Sequence, residues 1–333
     1  MAEPRVSIVI INWKTPELLA RCLDSIAQND RGHDDFELLI VDNDSADGSV
    51  EMLRERYPHV RLTVNDDNVG FSKACNQVIP EGRGTYILLL NPDTVVEKDA
   101  ISTMADYLES HSDVGAVGPR VLNSDGTLQL ACRRSFPDPL AAFFRLTYLS
   151  FLFPNSKTMA RYNMTHADPD QELEVDALSG SCMMVRRQLA ERIGPLDEDI
   201  FMFGEDIDWC WRIKELGFKV MYIPDSVVFH EHGASSRLRP VGATINLHKG
   251  MEVFYRKHLA KKYWAPFNLL VYAAIWGRAA VFILVNLVLK ITRRRSTSSS
   301  APGREIETMG AAGDQSRRES SERSTPISKS GGD

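Results

Sequence analysis

Apolar and polar positions alternate in blocks along the first part of the chain. Val6-Ser7-Ile8-Val9-Ile10-Ile11 is short, β-branched and apolar, which predicts a strand. Thr15-Pro16-Glu17 offers an N-cap with proline at the first helical position, and Leu18, Leu19, Cys22, Leu23 and Ile26 then recur at helical spacing over 17–27. A second strand, 36–41, ends at Asp42-Asn43-Asp44-Ser45, and Asp47-Gly48-Ser49 opens a helix through Met52, Leu53 and Tyr57. A short third strand over 60–64, a turn at Asn68-Val69-Gly70-Phe71 and a helix over 72–78 come next. Tyr86-Ile87-Leu88-Leu89-Leu90 then stops abruptly at Asn91-Pro92-Asp93, as a fully buried strand bounded by turn residues does. The order βαβαβαβ implies right-handed crossovers and an α/β fold, with a mostly parallel sheet and helices on both faces.

Beyond Asp93 the pattern is less regular. Residues 114–119 read as a strand and Asn123-Ser124-Asp125-Gly126 as a turn. Residues 133–174 lack clear periodicity but hold Phe136, Phe143, Phe144, Tyr148, Phe151 and Phe153. This is either an irregular insertion packed on the core or a surface facing an acceptor or a membrane. Asp176-Ala177-Leu178-Ser179-Gly180-Ser181 leads into a strand, and its small residues would let a ligand approach the backbone. A helix is predicted over 206–216, stopped by Gly217. Strands at 218–223 and 227–229 lead to His230-Glu231-His232-Gly233, and a helix is expected over 246–258.

Residues 265–289 are almost wholly apolar and long enough to cross a bilayer, which takes about 20 such residues. Arg278, near the middle, would cost roughly 2.5–3.5 kcal/mol there. A transmembrane helix, an interfacial or re-entrant helix pair and a buried core helix are the alternatives. Lys261-Lys262 before the stretch and Lys290, Arg293, Arg294 and Arg295 after it suit anionic headgroups, so membrane association through 265–289 is expected. The Ser-, Gly- and charge-rich tail, 296–333, is expected to be disordered.

Composition adds limits. A net charge of −6 gives no reason to expect nucleic-acid binding. The five scattered cysteines show no CxxC spacing, which argues against a zinc site or a disulfide framework and fits a reducing compartment. Met1-Ala2-Glu3-Pro4-Arg5 runs into the first strand without a signal-peptide pattern, so work in the cytoplasm, on the inner face of the membrane, is the expectation.

The chemistry gathers at strand ends. In open α/β sheets ligands bind beyond the carboxyl ends of the strands, where Asp42 and Asp93 stand with Asn68 and Gly70 between them. Each acid taken alone is as readily a solvated turn residue; two at equivalent strand ends favour a mononucleotide-type ligand. No GxGxxG follows the first strand and no GxxxxGK[ST] occurs, which disfavours a dinucleotide dehydrogenase and excludes a P-loop. On the 206–216 helix, Asp208 and Arg212 are spaced as an ion pair. Asp206 points away from that pair and reads as a free carboxylate near the helix N-terminus, where the dipole favours its charged form. Glu205-Asp206 could equally be an acidic capping cluster.

These segments, in this order, resemble glycosyltransferase family 2: Val6-Ser7-Ile8-Val9-Ile10 with Asn12, Val41-Asp42-Asn43-Asp44-Ser45-Ala46-Asp47-Gly48-Ser49, Asn68-Val69-Gly70-Phe71 and Asn91-Pro92-Asp93. The resemblance covers about residues 5–240 and is nearest the rhamnosyltransferase-like branch. It implies the GT-A fold, a Rossmann-like nucleotide-binding sheet, and inverting transfer of a sugar from a nucleotide-diphosphate donor. It implies that Asp42 contacts the base of the donor, with Asn43, Asn68, Gly70, Asn91, Gly180 and Ser181 around the donor. It implies that Asp93, the last acid of the DxD motif, holds Mg²⁺ or Mn²⁺ against the diphosphate, and that His230 completes the coordination. Asn91 stands where that motif has its first acid and supplies no charge. By resemblance Asp206 is the catalytic base, with Glu205 helping to bind the acceptor, while Ser235, Ser236 and Arg237 or Arg239 lie over the diphosphate. The implied domain is 1–240, split at 118 into donor and acceptor halves, followed by a membrane-associated segment, 241–295. A glycan or lipid-linked acceptor is expected. A catalytically silent sugar-nucleotide-binding scaffold and a sugar nucleotidyltransferase are the rivals, the second lacking its Gly-rich basic loop after the first strand.

Overall fold

The computed structural model describes residues 3–29, 35–231 and 239–298. The first half follows the predicted alternation: β1 (Val6–Asn12), α1 (Pro16–Ala27), β2 (Phe36–Asn43), α2 (Ser49–Arg56), β3 (Arg61–Asn65), α3 (Phe71–Val78) and β4 (Tyr86–Leu90). Then come β5 (Thr94–Val96), α4 (Ala100–Ser110) and β6 (Val114–Leu122). The insertion holds β7 (Arg133–Arg134), α5 (Pro139–Leu146), α6 (Leu149–Leu152) and β8 (Leu173–Glu174). It is followed by β9 (Ala177–Leu178), β10 (Cys182–Arg186), α7 (Arg187–Ile193), α8 (Glu205–Glu215) and β11 (Lys219–His230). Last come α9 (Pro240–Phe254), a π-helical turn at Tyr255–Leu259, and α10 (Ala265–Ser298).

The main sheet runs β3-β2-β1-β4-β10-β6-β11-β5, with β8 on β11. β1 to β4 pair in parallel, as alternation with crossover helices demands, whereas β10 enters antiparallel to both β4 and β6, so the sheet is mixed beyond β4. Successive side chains leave a strand on opposite faces, and both faces are covered here. Val6, Ile8 and Ile10 meet α1, α2 and α4, while Val9 and Ile11 meet α3, with α7 and α8 on the same layer. That double cover is why β1 and β4 are buried at every position.

The segment 133–174 is partly helical rather than irregular: Asp138 caps α5 through Ala141 N–H at 2.8 Å, with Pro139 at the first helical position. α10 packs one side along α9 and the π-turn. Tyr255 Oη donates to Asn268 at 2.6 Å, Trp276 Nε1 to Glu252 at 2.9 Å, and the Tyr272 ring meets Tyr255 edge-on. Over Ala265–Val288 it is long and apolar enough to cross a membrane. His232, Ser235, Ser236, Arg237 and the tail from 299 lie outside the described residues.

Candidate active site

Strand pairing builds the first half of the site. β4 ends where Asn91 turns the chain: the Asn91 carbonyl accepts from Thr94 Oγ1 at 2.6 Å, and Asn91 N–H reaches Ser181 O at 2.9 Å. β5 then runs back antiparallel to the end of β11, in a register that sets His230 opposite Thr94, and Glu231 N–H closes on the Asp93 carbonyl at 2.9 Å. His230 Nε2 consequently lies 3.1 Å from Asp93 Oδ1 and 3.4 Å from Asn91 Nδ2. Gln129 grips the other side of the imidazole. Its Nε2 donates to the His230 carbonyl at 2.7 Å, which turns its Oε1 toward His230 Nδ1 at 3.0 Å. Nδ1 thus faces the Gln129 amide oxygen while Nε2 is turned to the Asp93 carboxylate. The Asp93 carboxylate and the His230 imidazole are a donor pair that fits Mg²⁺ or Mn²⁺ once substrate phosphates add theirs. Among the described residues no group of three or more His, Cys, Asp and Glu is placed to hold a metal alone.

The second half comes from the N-terminus of α8. Phe203 and Gly204 have positive φ, +73° and +108°, and turn the chain into the helix so that Glu205 and Asp206 occupy its first turn. Asp206 is buried and firmly held, not free. Its Oδ2 accepts from Arg134 at 2.6 Å and from Gly180 N–H at 2.9 Å, and its Oδ1 from Ile207 N–H at 2.8 Å. Burial works against the Arg134 charge, but facing Asp206 holds that guanidinium above its ordinary value. A Cβ on Gly180 would sit 3.4 Å from Asp206 Cβ, so its lack of a side chain keeps the approach to the acid clear. Glu205 is 7% exposed, and its Oε2 has no hydrogen-bond partner among the described residues. Burial first, and then the charge of Asp206, pushes its carboxyl up to about 8. One arginine thus faces two acids, and Glu205 holds its proton at neutral pH. Asp208 forms the expected pair with Arg212 at 2.7 Å and a second with His258 at 2.7 Å, which outweigh burial and hold it below the usual carboxylate range.

One cavity of about 400 Å³ joins both halves. Asn43, Asn68, Gly70, Asn91, Asp93, Gly180, Ser181, Glu205, Asp206 and His230 all line it, with Arg239 stacked 5.2 Å over Trp13. Gly70 has φ +91°, and a Cβ there would meet Phe201 at 2.7 Å. Asp42 stays off the wall: it is 1% exposed, and its oxygens accept from Asn12 Nδ2 at 2.7 Å and Ser45 N–H at 2.9 Å. Its carboxylate ties the ends of β1 and β2 together, while the next residue, Asn43, reaches the cavity. Arg134, Gln129 and Trp13 went unnoticed in the sequence, because each comes to the site through long-range pairing with no local motif.

The profile described as "Glycosyltransferase like family 2" matches residues 4–248. An N-acetylglucosaminyl-diphospho-decaprenol L-rhamnosyltransferase of Mycobacterium tuberculosis is 27% identical over 269 residues, 78% of this chain and 86% of that protein. Rhamnosyltransferase WbbL of Escherichia coli is 30% identical over 145 residues, 44% of this chain and 52% of its own length. Among solved structures, a mannosyltransferase of Pyrobaculum calidifontis in complex with GDP-Man and Mn²⁺ superposes with a TM-score of 0.53 at 18% identity, over 90% of this chain and 84% of that one. The fold is GT-A, and the family match, which covers most of the chain, sets aside the nucleotidyltransferase alternative. The chain belongs to glycosyltransferase family 2, on its rhamnosyltransferase-like side, and is a glycosyltransferase.

Proposed function

We propose that this enzyme transfers a sugar, with inversion, from a nucleotide-diphosphate donor to a hydroxyl of a lipid-linked cell-envelope glycan on the cytoplasmic face of the membrane. The observation that carries the reading is a single cavity holding both the Asp93–His230 corner and the Glu205–Asp206 pair. Rhamnose carried on dTDP is the first donor to test, because two relatives are named for rhamnosyl transfer and one for a diphospho-decaprenol substrate.

In this reading Asp93 and His230, with Asn91 beside them, hold Mg²⁺ or Mn²⁺. When bound, the cation neutralises charge developing on the leaving diphosphate. Asn43, Asn68 and Gly70 shape the nucleotide end, and Ser181 and Gly180 border the sugar. Asp206 takes the proton of the attacking hydroxyl, which must come from the face opposite the leaving group. Arg134 balances its charge before the reaction, and protonated Glu205 donates a hydrogen bond to the acceptor. Asp42 acts indirectly, by holding Asn12 and Ser45.

The test is release of nucleoside diphosphate from a panel of nucleotide sugars, with and without Mn²⁺. Asp206→Asn is expected to lower turnover by about 10²–10⁴ while metal-dependent donor binding survives. Unchanged transfer would rule out Asp206 as the base, and no donor consumption by the wild type in any condition would leave the silent-scaffold reading.

A further inference from the structure

Arg278 stands in the middle of the most apolar stretch of the chain, where an unneutralised guanidinium is costly. Its partners bring no negative charge. His248, buried on α9, has Nδ1 2.6 Å from the Thr244 carbonyl, so that nitrogen carries the proton and Nε2 accepts from Arg278 Nη1 at 2.9 Å. The guanidinium also lies 4.8 Å over the Phe282 ring. Arg145, on α5, is near enough for the two positive charges to repel, and its own contacts are Asn163 Oδ1 at 3.1 Å and the Tyr162 ring at 5.3 Å. Among the described residues neither arginine has a carboxylate within 4.0 Å, whereas Arg134 and Arg161 of the same insertion are paired with Asp206 and Asp138. Exposed Arg145 over the Tyr162 ring and part-buried Arg278 beside Met251 thus leave two guanidinium groups able to take an anionic partner.

The surroundings say which anion. Tyr162, under Arg145, and Met251, 3.9 Å from Arg278, both line the catalytic cavity, and Tyr162 is also close enough to act on Arg134, the partner of Asp206. The elements that carry the two arginines also expose apolar groups: Tyr148, Phe151 and Leu152 of the α5–α6 segment, 61–70% exposed, and Leu284 of α10, 60% exposed. A ligand that joins these features has a polar head in the cavity, a phosphate group at the arginines beside the cavity-lining Tyr162 and Met251, and a long apolar tail.

Building on the lipid-linked reading above, we propose that Arg145 and Arg278 bind the diphosphate of a polyprenyl-diphosphate-linked acceptor, whose sugar enters the cavity and whose prenyl chain lies along α5, α6 and α10.

The test compares the full chain with Arg145→Gln and Arg278→Gln, and with the lysine variants, on two acceptors. One is N-acetylglucosaminyl-diphospho-polyprenol; the other is an alkyl glycoside of the same sugar without the diphosphate. The glutamine variants are expected to raise KM for the first at least tenfold, and lysine to restore part of that. The nucleotide-sugar KM, which reports an intact fold, and transfer to the alkyl glycoside stay as in the wild type. Equal loss on both acceptors, or no loss on the first, overturns the site. If the wild type uses neither acceptor, the lipid-linked reading fails and vesicle binding judges the site by itself. Phosphatidylcholine vesicles carrying polyprenyl diphosphate or charge-matched phosphatidylglycerol separate the sources: a tenfold loss confined to the prenyl diphosphate supports the site. An equal loss on phosphatidylglycerol assigns a general headgroup contact and overturns the diphosphate assignment, as does unchanged binding.

Discussion

Replacing Glu205 with glutamine keeps its shape and removes its titration. In the folded chain this carboxyl is pushed from 4.5 to about 8, first by burial and then by the charge of Asp206. The folded pKa is therefore the higher one. As pH rises through the window from about 4.5 to 8 the unfolded chain gives up this proton while the folded chain keeps it, so folding stability falls across the window and levels off beyond it. At about 1.36 kcal/mol per pKa unit the ceiling is on the order of 5 kcal/mol. Arg134 lies close to both acids and offsets part of the cost of charging Glu205, which reduces the part assignable to it, and we expect about 2–3 kcal/mol. Trp209 and Trp211 on α8 supply a fluorescence signal for denaturant unfolding at pH 5, 7 and 9. The stability of Glu205→Gln relative to the wild type should increase by at least about 2 kcal/mol between pH 5 and pH 9. Titrating groups away from the Glu205–Asp206–Arg134 cluster are common to both proteins and cancel. A difference that stays constant across pH would refute the buried, protonated Glu205 and with it the one-arginine, two-acid arrangement.

The other perturbations are simpler. Chelation, or Asp93→Ala or His230→Ala, should abolish metal-dependent donor binding measured by calorimetry while circular dichroism stays native. Gln129→Leu removes the group that orients the imidazole and should weaken Mn²⁺ affinity about 10–100-fold, read by titration of the protein with the metal. Gly250→Ala drives a Cβ into the Phe203 carbonyl oxygen, and backbone must move; thermal unfolding should show a loss of about 1–3 kcal/mol.

The first sheet half was readable because its signals are local. β4 is an apolar run ended by Asn91-Pro92, and α1 starts at Thr15-Pro16, so patterning alone puts both within a residue or two of their place. β5 and α7 escaped because three and seven residues carry too little periodicity, and α4 because Ala100–Ser110 follows the Asp93 turn without a strong cap. The acids of the site were legible as residue types, but their environment was not. Arg134 lies 72 positions from Asp206 and Gln129 lies 101 from His230, separations bridged only by sheet pairing. Asp42 illustrates the reverse case. A strand-end carboxylate has the same sequence signature whether it faces a ligand or, as here, Asn12 and Ser45.

The Gly250–Phe203 contact carries mechanical weight. Most helices rest on a layer of side chains that can change rotamer and absorb a displacement; here there is no room for one, since a Cβ on Gly250 would meet the Phe203 carbonyl and a Cβ on Gly204 would come within 4 Å of Gly250. A shift of α9 is therefore passed on undamped to the two residues whose positive φ aims Glu205 and Asp206. α9 and its π-turn are in turn fastened to α10 by Asn268, Trp276 and Arg278. These parts form a stiff lever from the apolar helix to the Glu205–Asp206 pair. A chain cut before Ala265 loses the outer arm of that lever, and its turnover is expected to fall even on an acceptor free in solution.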